Sequence, residues 1–220
     1  MSIEKGCVLD FLGETLELLP QKALLWHERK LLVVADVHFG KVGHFRKAGI
    51  AIPKSLEQED LATLSDLIVE HKPKKVIFLG DLFHSEMNND WHWIELWRDL
   101  FPDIDMILVL GNHDILMDTS YKKAKFEVVD ELQLEPFIFT HEPIKDPGAT
   151  SPLYNISGHI HPAVKLRGKG RQRATLPCFY FADKMALLPA FGQFTGTFIM
   201  DFKQSDRVYG VLDTKVVPLI

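Results

Sequence analysis

Thiols are scarce in this chain: Cys7 and Cys178 are its only cysteines, far apart in sequence. Two are too few for a disulfide framework or a four-thiolate zinc site, and both read as reduced. No segment approaches the ~20 uninterrupted apolar residues of a membrane span. The first ten residues carry Glu4, Lys5 and Asp10 where a signal peptide needs an apolar run. A cytoplasmic protein with no membrane contact is expected. Net positive charge is lacking too. With 25 Lys and Arg against 30 Asp and Glu the chain carries -5, so any contact with nucleic acid must come from a local patch. Internal repeats and low-complexity linkers are absent. What is present is apolar content, 46% of 220 residues. That supports a sizeable core and, most simply, one domain over 1–220.

Short runs of Val, Ile, Leu and Phe alternate with longer segments of helical period, the pattern of an α/β protein. A helix is expected over 53–71, with Leu56, Leu64, Leu67 and Ile68 on its buried stripe. Another is expected over 87–100, where Trp93, Leu96, Trp97 and Leu100 fall at helical spacing and read as core. Residues 23–26 and 31–35 suggest a hairpin around the polar stretch 27–30. Beyond Ala163 the helical period stops, and 164–166, 174–181, 194–201 and 207–217 read as strands. Two mixed sheets with helices outside fit this order.

Ten histidines stand out, and six of them, His38, His84, His113, His141, His159 and His161, are the ones to explain. Five apolar runs end at or near metal-competent side chains. Residues 31–35 lead to Asp36-Val37-His38, 76–79 to Gly80-Asp81, and 106–110 to Gly111-Asn112-His113-Asp114. Residues 137–139 lead to Thr140-His141, and 154–157 to Gly158-His159-Ile160-His161. If these runs are neighbouring strands of one sheet, their tips share the edge where α/β sheets bind ligands. Each fragment alone is weak, since Gly, Asp and Asn commonly end strands. Together they would crowd imidazoles and carboxylates into one cleft, at a cost that divalent cations would offset.

The ordered set D-x-H, G-D, G-N-H-D, H and G-H-x-H resembles the calcineurin-like metallophosphoesterases. D-V-H-F-G-K with Phe45-Arg46 and Gly49, G-H-I-H-P-A, Pro177-Cys178-Phe179 and L-P-A-F-G-Q-F-T-G narrow the resemblance to the DNA-ligase-associated subgroup, over about residues 31–196. The resemblance implies a four-layer αββα sandwich of two mixed sheets. It implies one metal on Asp36, His38, Asp81 and His161, and a second on Asp81, Asn112, His141 and His159. Nitrogen and oxygen ligands favour Mn, Fe or Zn, and the resemblance points to manganese. Two such cations would polarise a phosphoryl group and activate a water for in-line attack. His113 is then the expected proton donor to the leaving oxygen, with Asp114 orienting its imidazole; the plainer alternative is a histidine bonded to backbone.

His84, in Gly80-Asp81-Leu82-Phe83-His84, departs from the Asp-Arg pair of many members and resembles the family's double-strand-break-repair nucleases. Lys41 and Arg46 follow the first ligand loop and are candidates for substrate phosphate. Lys165, Arg167, Lys169, Arg171 and Arg173 alternate after the G-H-I-H loop, a track for a phosphate backbone or simply a solubilising hairpin. The expected activity is a dinuclear phosphodiesterase acting on nucleic acid or nucleotides, with a DNA-repair context and a ligase or helicase partner implied by kinship. The rivals are a phosphomonoesterase of small metabolites and a non-catalytic interaction module of the same fold.

Overall fold

The computed structural model describes residues 5–40, 55–83, 89–145, 152–168, 172–193 and 195–219. Seven strands form a first sheet in sequence order: β1 (Cys7–Phe11), β2 (Glu14–Leu18), β3 (Leu24–Trp26), β4 (Leu31–Ala35), β5 (Lys75–Leu79), β6 (Asp105–Val109) and β7 (Phe126–Val129). The first four are antiparallel neighbours, and β4 to β7 run parallel. Helices α1 (Ser55–His71), α2 (Asn89–Asp99) and α3 (Asp118–Lys123) fill the three crossovers. Every residue of β4 is buried, as a strand covered on both faces requires.

The second sheet holds β8 (Leu132–Leu134), β9 (Phe137–Thr140), β10 (Tyr154–Ser157), β11 (Pro162–Arg167), β12 (Arg173–Phe181), β13 (Met185–Leu187), β14 (Phe198–Ile199), β15 (Arg207–Leu212) and β16 (Lys215–Pro218). Its order is β14-β11-β12-β13-β10-β9-β8, with β15 beside β12 and β16 beyond it. Strands β9, β10 and β13 are parallel neighbours. Both sheets are therefore mixed, as the sequence reading expects.

Inward-facing side chains of the two sheets make one core, in which Val33, Ile77 and Val109 meet Phe137, Phe139, Ile156 and Phe179. A second core lies between the first sheet and its helices, through Leu64, Leu67 and Ile68 of α1, Trp91, Ile94 and Trp97 of α2, and Tyr121 of α3. All three helices of the described residues pack there. The outer face of the second sheet is closed by a smaller cluster in which Met200 and Phe202 cover Val164, Cys178, Tyr180 and Val208. The two mixed sheets with helices outside are the α/β architecture that the family resemblance implies. Among the described residues, no helix is long and apolar enough to cross a membrane. Cys7 and Cys178 are free thiols.

Two expectations are corrected. The strand expected over 194–201 shrinks to Phe198–Ile199, because Gly196, just before it, gives its carbonyl to the His161 imidazole. In α2 and just after it, Trp93, Leu96 and Leu100 are 56%, 46% and 69% exposed, while Trp91 and Ile94 are buried with Trp97. Two stripes share Trp97 and both satisfy helical spacing. The choice falls to the tertiary partners: Trp91 packs edge-on against Phe83 at 5.3 Å and Tyr121 at 5.2 Å between ring centroids. Trp91→Ala should therefore cost about 3–5 kcal/mol, and Trp93→Ala no more than ~0.5 kcal/mol, in urea unfolding followed by circular dichroism.

Candidate metal centre

The ligand candidates leave the carboxyl ends of strands in both sheets. Asp36 and His38 follow β4, Asp81 follows β5 and Asn112 follows β6; His141 follows β9 and His159 follows β10, with His161 just before β11. The single edge that the sequence reading supposes is thus replaced by a junction of two edges. Two backbone hydrogen bonds close it, and a third ties the loops after β9 and β10 to each other within the second sheet. The Phe191 amide donates to the Ala35 carbonyl at 2.8 Å, the Gly192 amide to the Asp36 carbonyl at 3.2 Å, and the Gly158 amide to the His141 carbonyl at 3.0 Å. Residues 190–192 lie in the L-P-A-F-G-Q-F-T-G stretch, which the sequence shows as a signature without a role; here it braces the backbone of Asp36.

Local backbone conformation is unusual at the same places. Asp36, His38, Asp81, His159 and His161 all have φ between 51° and 66°. Left-handed conformations in residues with a Cβ cost on the order of 1–3 kcal/mol each and persist where surrounding structure holds them. The turns are also too tight for extra atoms. A Cβ on Gly80, itself at φ 71°, would land on the His141 imidazole, and one on Gly111 would strike the amide nitrogen and Oδ1 of Asp81.

Asp36 is fully buried and Asp81 is 2% exposed. One Asp36 oxygen, Oδ2, accepts the His159 amide at 2.9 Å. The other, Oδ1, lies 3.4 Å from His161 Nε2, and both of these buried atoms lack a hydrogen-bond partner. Asp81 sits between two groups of nitrogens: its Oδ2 is 3.6 Å from His38 Nε2, and its Oδ1 is 3.5 Å from His141 Nε2. Asn112 Oδ1 and His159 Nδ1 each stand 3.0 Å from His141 Nε2. The ligand atoms of Asp36, His38 and His161 lie within 4.8 Å of one another, as do those of Asp36, Asp81 and His141.

Tautomer logic tells what such a cluster accepts. His141 Nδ1 faces the Leu79 carbonyl at 2.9 Å, and His161 Nδ1 faces the Gly196 carbonyl at 3.1 Å. A carbonyl only accepts, so both Nδ1 atoms carry the proton, and a neutral ring bonded in this way presents a bare Nε2 lone pair. Those lone pairs point at carboxylate and amide oxygens. Acceptors aimed at acceptors in a buried site repel unless a cation sits among them, and a histidine whose second nitrogen donates to a carbonyl is the usual arrangement around a metal. The site fits a divalent cation held by nitrogen and oxygen.

His113 is exposed; its amide donates to Asp81 Oδ1 at 2.9 Å and its ring centroid is 5.7 Å from that of His38. Asp114, expected to orient the His113 imidazole, has its described bonds elsewhere. Its Oδ1 accepts the Leu82 and Phe83 amides at 2.9 and 3.2 Å and the Tyr121 hydroxyl at 3.4 Å, and its Oδ2 accepts the Gly111 amide at 2.9 Å. It clamps the loops after β5 and β6 together. Burial pushes its carboxyl up to about 6 in spite of those amides. Arg173 is exposed and pairs with Arg167 across the β11–β12 ribbon. Six residues separate Arg167 from His161, roughly 20 Å of extended strand. Lys41, Arg46, His84 and Arg171 lie outside the described residues.

Residues 29–179 match the family of calcineurin-like phosphoesterases, and the chain belongs to that family. It is a metal-dependent phosphoesterase. Among solved structures, a nuclease named MPE from Pseudomonas putida is similar at 34% identity, with a TM-score of 0.83 over 98% of this chain and all of that one. A phosphoesterase from E. coli is more distant, at 12% identity and a TM-score of 0.42 over 85% of this chain and 96% of its own. Among curated proteins there is no significant match.

A divalent cation held at 100 times its dissociation constant should stabilise the fold by about 2.7 kcal/mol. Calorimetry should show Tm rising with Mn and falling back with chelator, and Asp36→Ala should remove the rise. Wild-type protein whose Tm ignores Mn, Fe and Zn alike would contradict the assignment.

Proposed function

We propose that this chain is a dinuclear phosphodiesterase acting on nucleic acid, a member of the DNA-ligase-associated subgroup that works as one domain over 1–220. The observation that carries the reading is the likeness to a nuclease over nearly the whole length of both chains. The resemblance of Gly80-Asp81-Leu82-Phe83-His84 to repair nucleases supports it, as does a basic ribbon too far from the centre to touch the reacting phosphate. Lys165, Arg167 and Arg173 suit a substrate with phosphates on either side of the scissile one. A repair context, with a ligase or helicase nearby, follows from the same kinship.

Asp36, His38, Asp81 and His161 would hold one cation, and Asp81, Asn112, His141 and His159 the other, with manganese first and iron or zinc compatible with the same donors. Bound there, the cations supply Lewis acidity that polarises the phosphoryl oxygens and makes water nucleophilic at neutral pH. The chain's own groups do the remaining work. The Leu79 and Gly196 carbonyls fix the tautomers of His141 and His161. His113, exposed beside His38, gives its proton to the departing oxygen. Asp114 keeps the His113 loop in register with the Asp81 loop. Lys41, Arg46, Arg171 and Arg173 contact substrate phosphates, and His84 contributes at the scissile group.

His113→Ala should lower kcat by about 10² to 10⁴ while metal content, read by elemental analysis, stays at the parent value. Loss of the metals in that variant would overturn the proton-donor role. With Mn bound, the protein should cleave bis-p-nitrophenyl phosphate and single-stranded oligonucleotide in preference to p-nitrophenyl phosphate. Preference for the monoester would replace the diesterase reading with a phosphomonoesterase.

A further inference from the structure

Beside the metal centre lies a cavity of about 610 Å³ that includes His159 in its wall, a size suited to a small-molecule or nucleoside site. Its walls are built in part from the ligand loops themselves. Residues 142–145 continue directly from His141, and Ile160 sits between His159 and His161; the β12–β13 turn and residues 203–206 complete the enclosure. Whatever fills the cavity therefore abuts the cleft where phosphate is handled.

The lining has two chemistries. Ile144, Ile160 and Met185 are half-buried and offer apolar surface. Lys145, Lys184 and Lys203 are exposed around it. The lysine ion pairs among the described residues belong to Lys75, Lys122 and Lys125, which leaves these three ammonium groups uncommitted. Carboxylates line the cavity as well. Asp206 is buried, and its Oδ2 accepts the Tyr180 hydroxyl at 3.0 Å and the Lys203 amide at 2.7 Å. Glu142 and Asp183 remain exposed, acceptors for exocyclic amino or sugar hydroxyl groups. An inorganic anion alone would gain little from the apolar surface, and a purely apolar ligand would gain little from three lysines. A nucleotide unit uses both.

We propose that this cavity seats the nucleoside adjoining the scissile phosphodiester. Its base lies against Ile144, Ile160 and Met185, and Lys184 and Lys203 receive the next phosphate. The inference rests on the reading of the enzyme as a nuclease and adds the place where it holds its substrate. The test compares steady-state kinetics of Mn-loaded parent protein with Ile144→Trp, which fills the cavity, and with the double variant Lys184→Glu/Lys203→Glu, which reverses its exposed charge. A single-stranded oligonucleotide and bis-p-nitrophenyl phosphate serve as substrates. The expected result is a rise of about tenfold in KM for the oligonucleotide in each variant, with kcat/KM for the small diester within about twofold of parent. The salt dependence of oligonucleotide binding should also flatten in the double variant. Unchanged oligonucleotide KM in both variants overturns the subsite while leaving the nuclease reading intact. Parallel loss on both substrates also overturns it, since the cavity wall would then act only by shaping the metal loops. Parent protein that hydrolyses the small diester and leaves oligonucleotides uncut ends the nuclease reading and the subsite with it.

Discussion

The Asp36 carboxylate is fully buried, with one oxygen held by the His159 amide and the other facing the His161 imidazole with no hydrogen-bond partner. A charge so placed must be answered, and the surrounding structure depends on how. Asp81 adds a second buried carboxylate, and the His38, His141 and His161 imidazoles face the pair through their Nε2 atoms. A divalent cation among these donors balances that arrangement. The strained backbone at five ligand positions and the glycines packed against His141 and Asp81 exist to hold donors at distances that protein groups alone would not favour.

Two sheets are needed to build such a centre, and their junction is where the strain is offset. The first sheet brings two carboxylates, one imidazole and an amide; the second brings three imidazoles. The contacts that lock them run from one sheet's backbone to the other's side chains: Leu79 of β5 to His141, Asp36 to the His159 amide. The sandwiched core of Val, Ile and Phe beneath this edge keeps the strand ends from separating. Asp114, by tying the loops after β5 and β6, performs the corresponding service within the first sheet.

Around this rigid centre, the groups that would meet substrate are exposed and diverse. His113 stands at the rim, the β11–β12 ribbon reaches away with its arginines, and a cavity lined by apolar and charged side chains adjoins His159. The division is physical. A cation site tolerates little displacement, whereas a polymer must enter, slide and leave, so its contacts sit on surface lysines and arginines whose charge acts over several ångströms.

Much of this could be read from the chain alone. Strand ends closed by Asp, His and Asn at short spacing announce a metal centre because few other arrangements reward that composition, and the buried strand β4 is legible as an unbroken apolar run. Local pattern also locates α1 and the β11–β12 hairpin. It fails for α2, whose tryptophans offer two equivalent stripes until Phe83 and Tyr121 select one. It fails for residues 190–196, where ordinary-looking residues brace Asp36 and His161 only through backbone groups that every residue possesses. It also misses that Asp114 accepts the Leu82 and Phe83 amides and so ties the loops after β5 and β6. Side-chain chemistry and its spacing are written in the chain, so the kind of site was determined there. Which sheets meet, which helix face turns inward and which carbonyl orients each imidazole depend on contacts between residues tens of positions apart, and only the folded structure decides them.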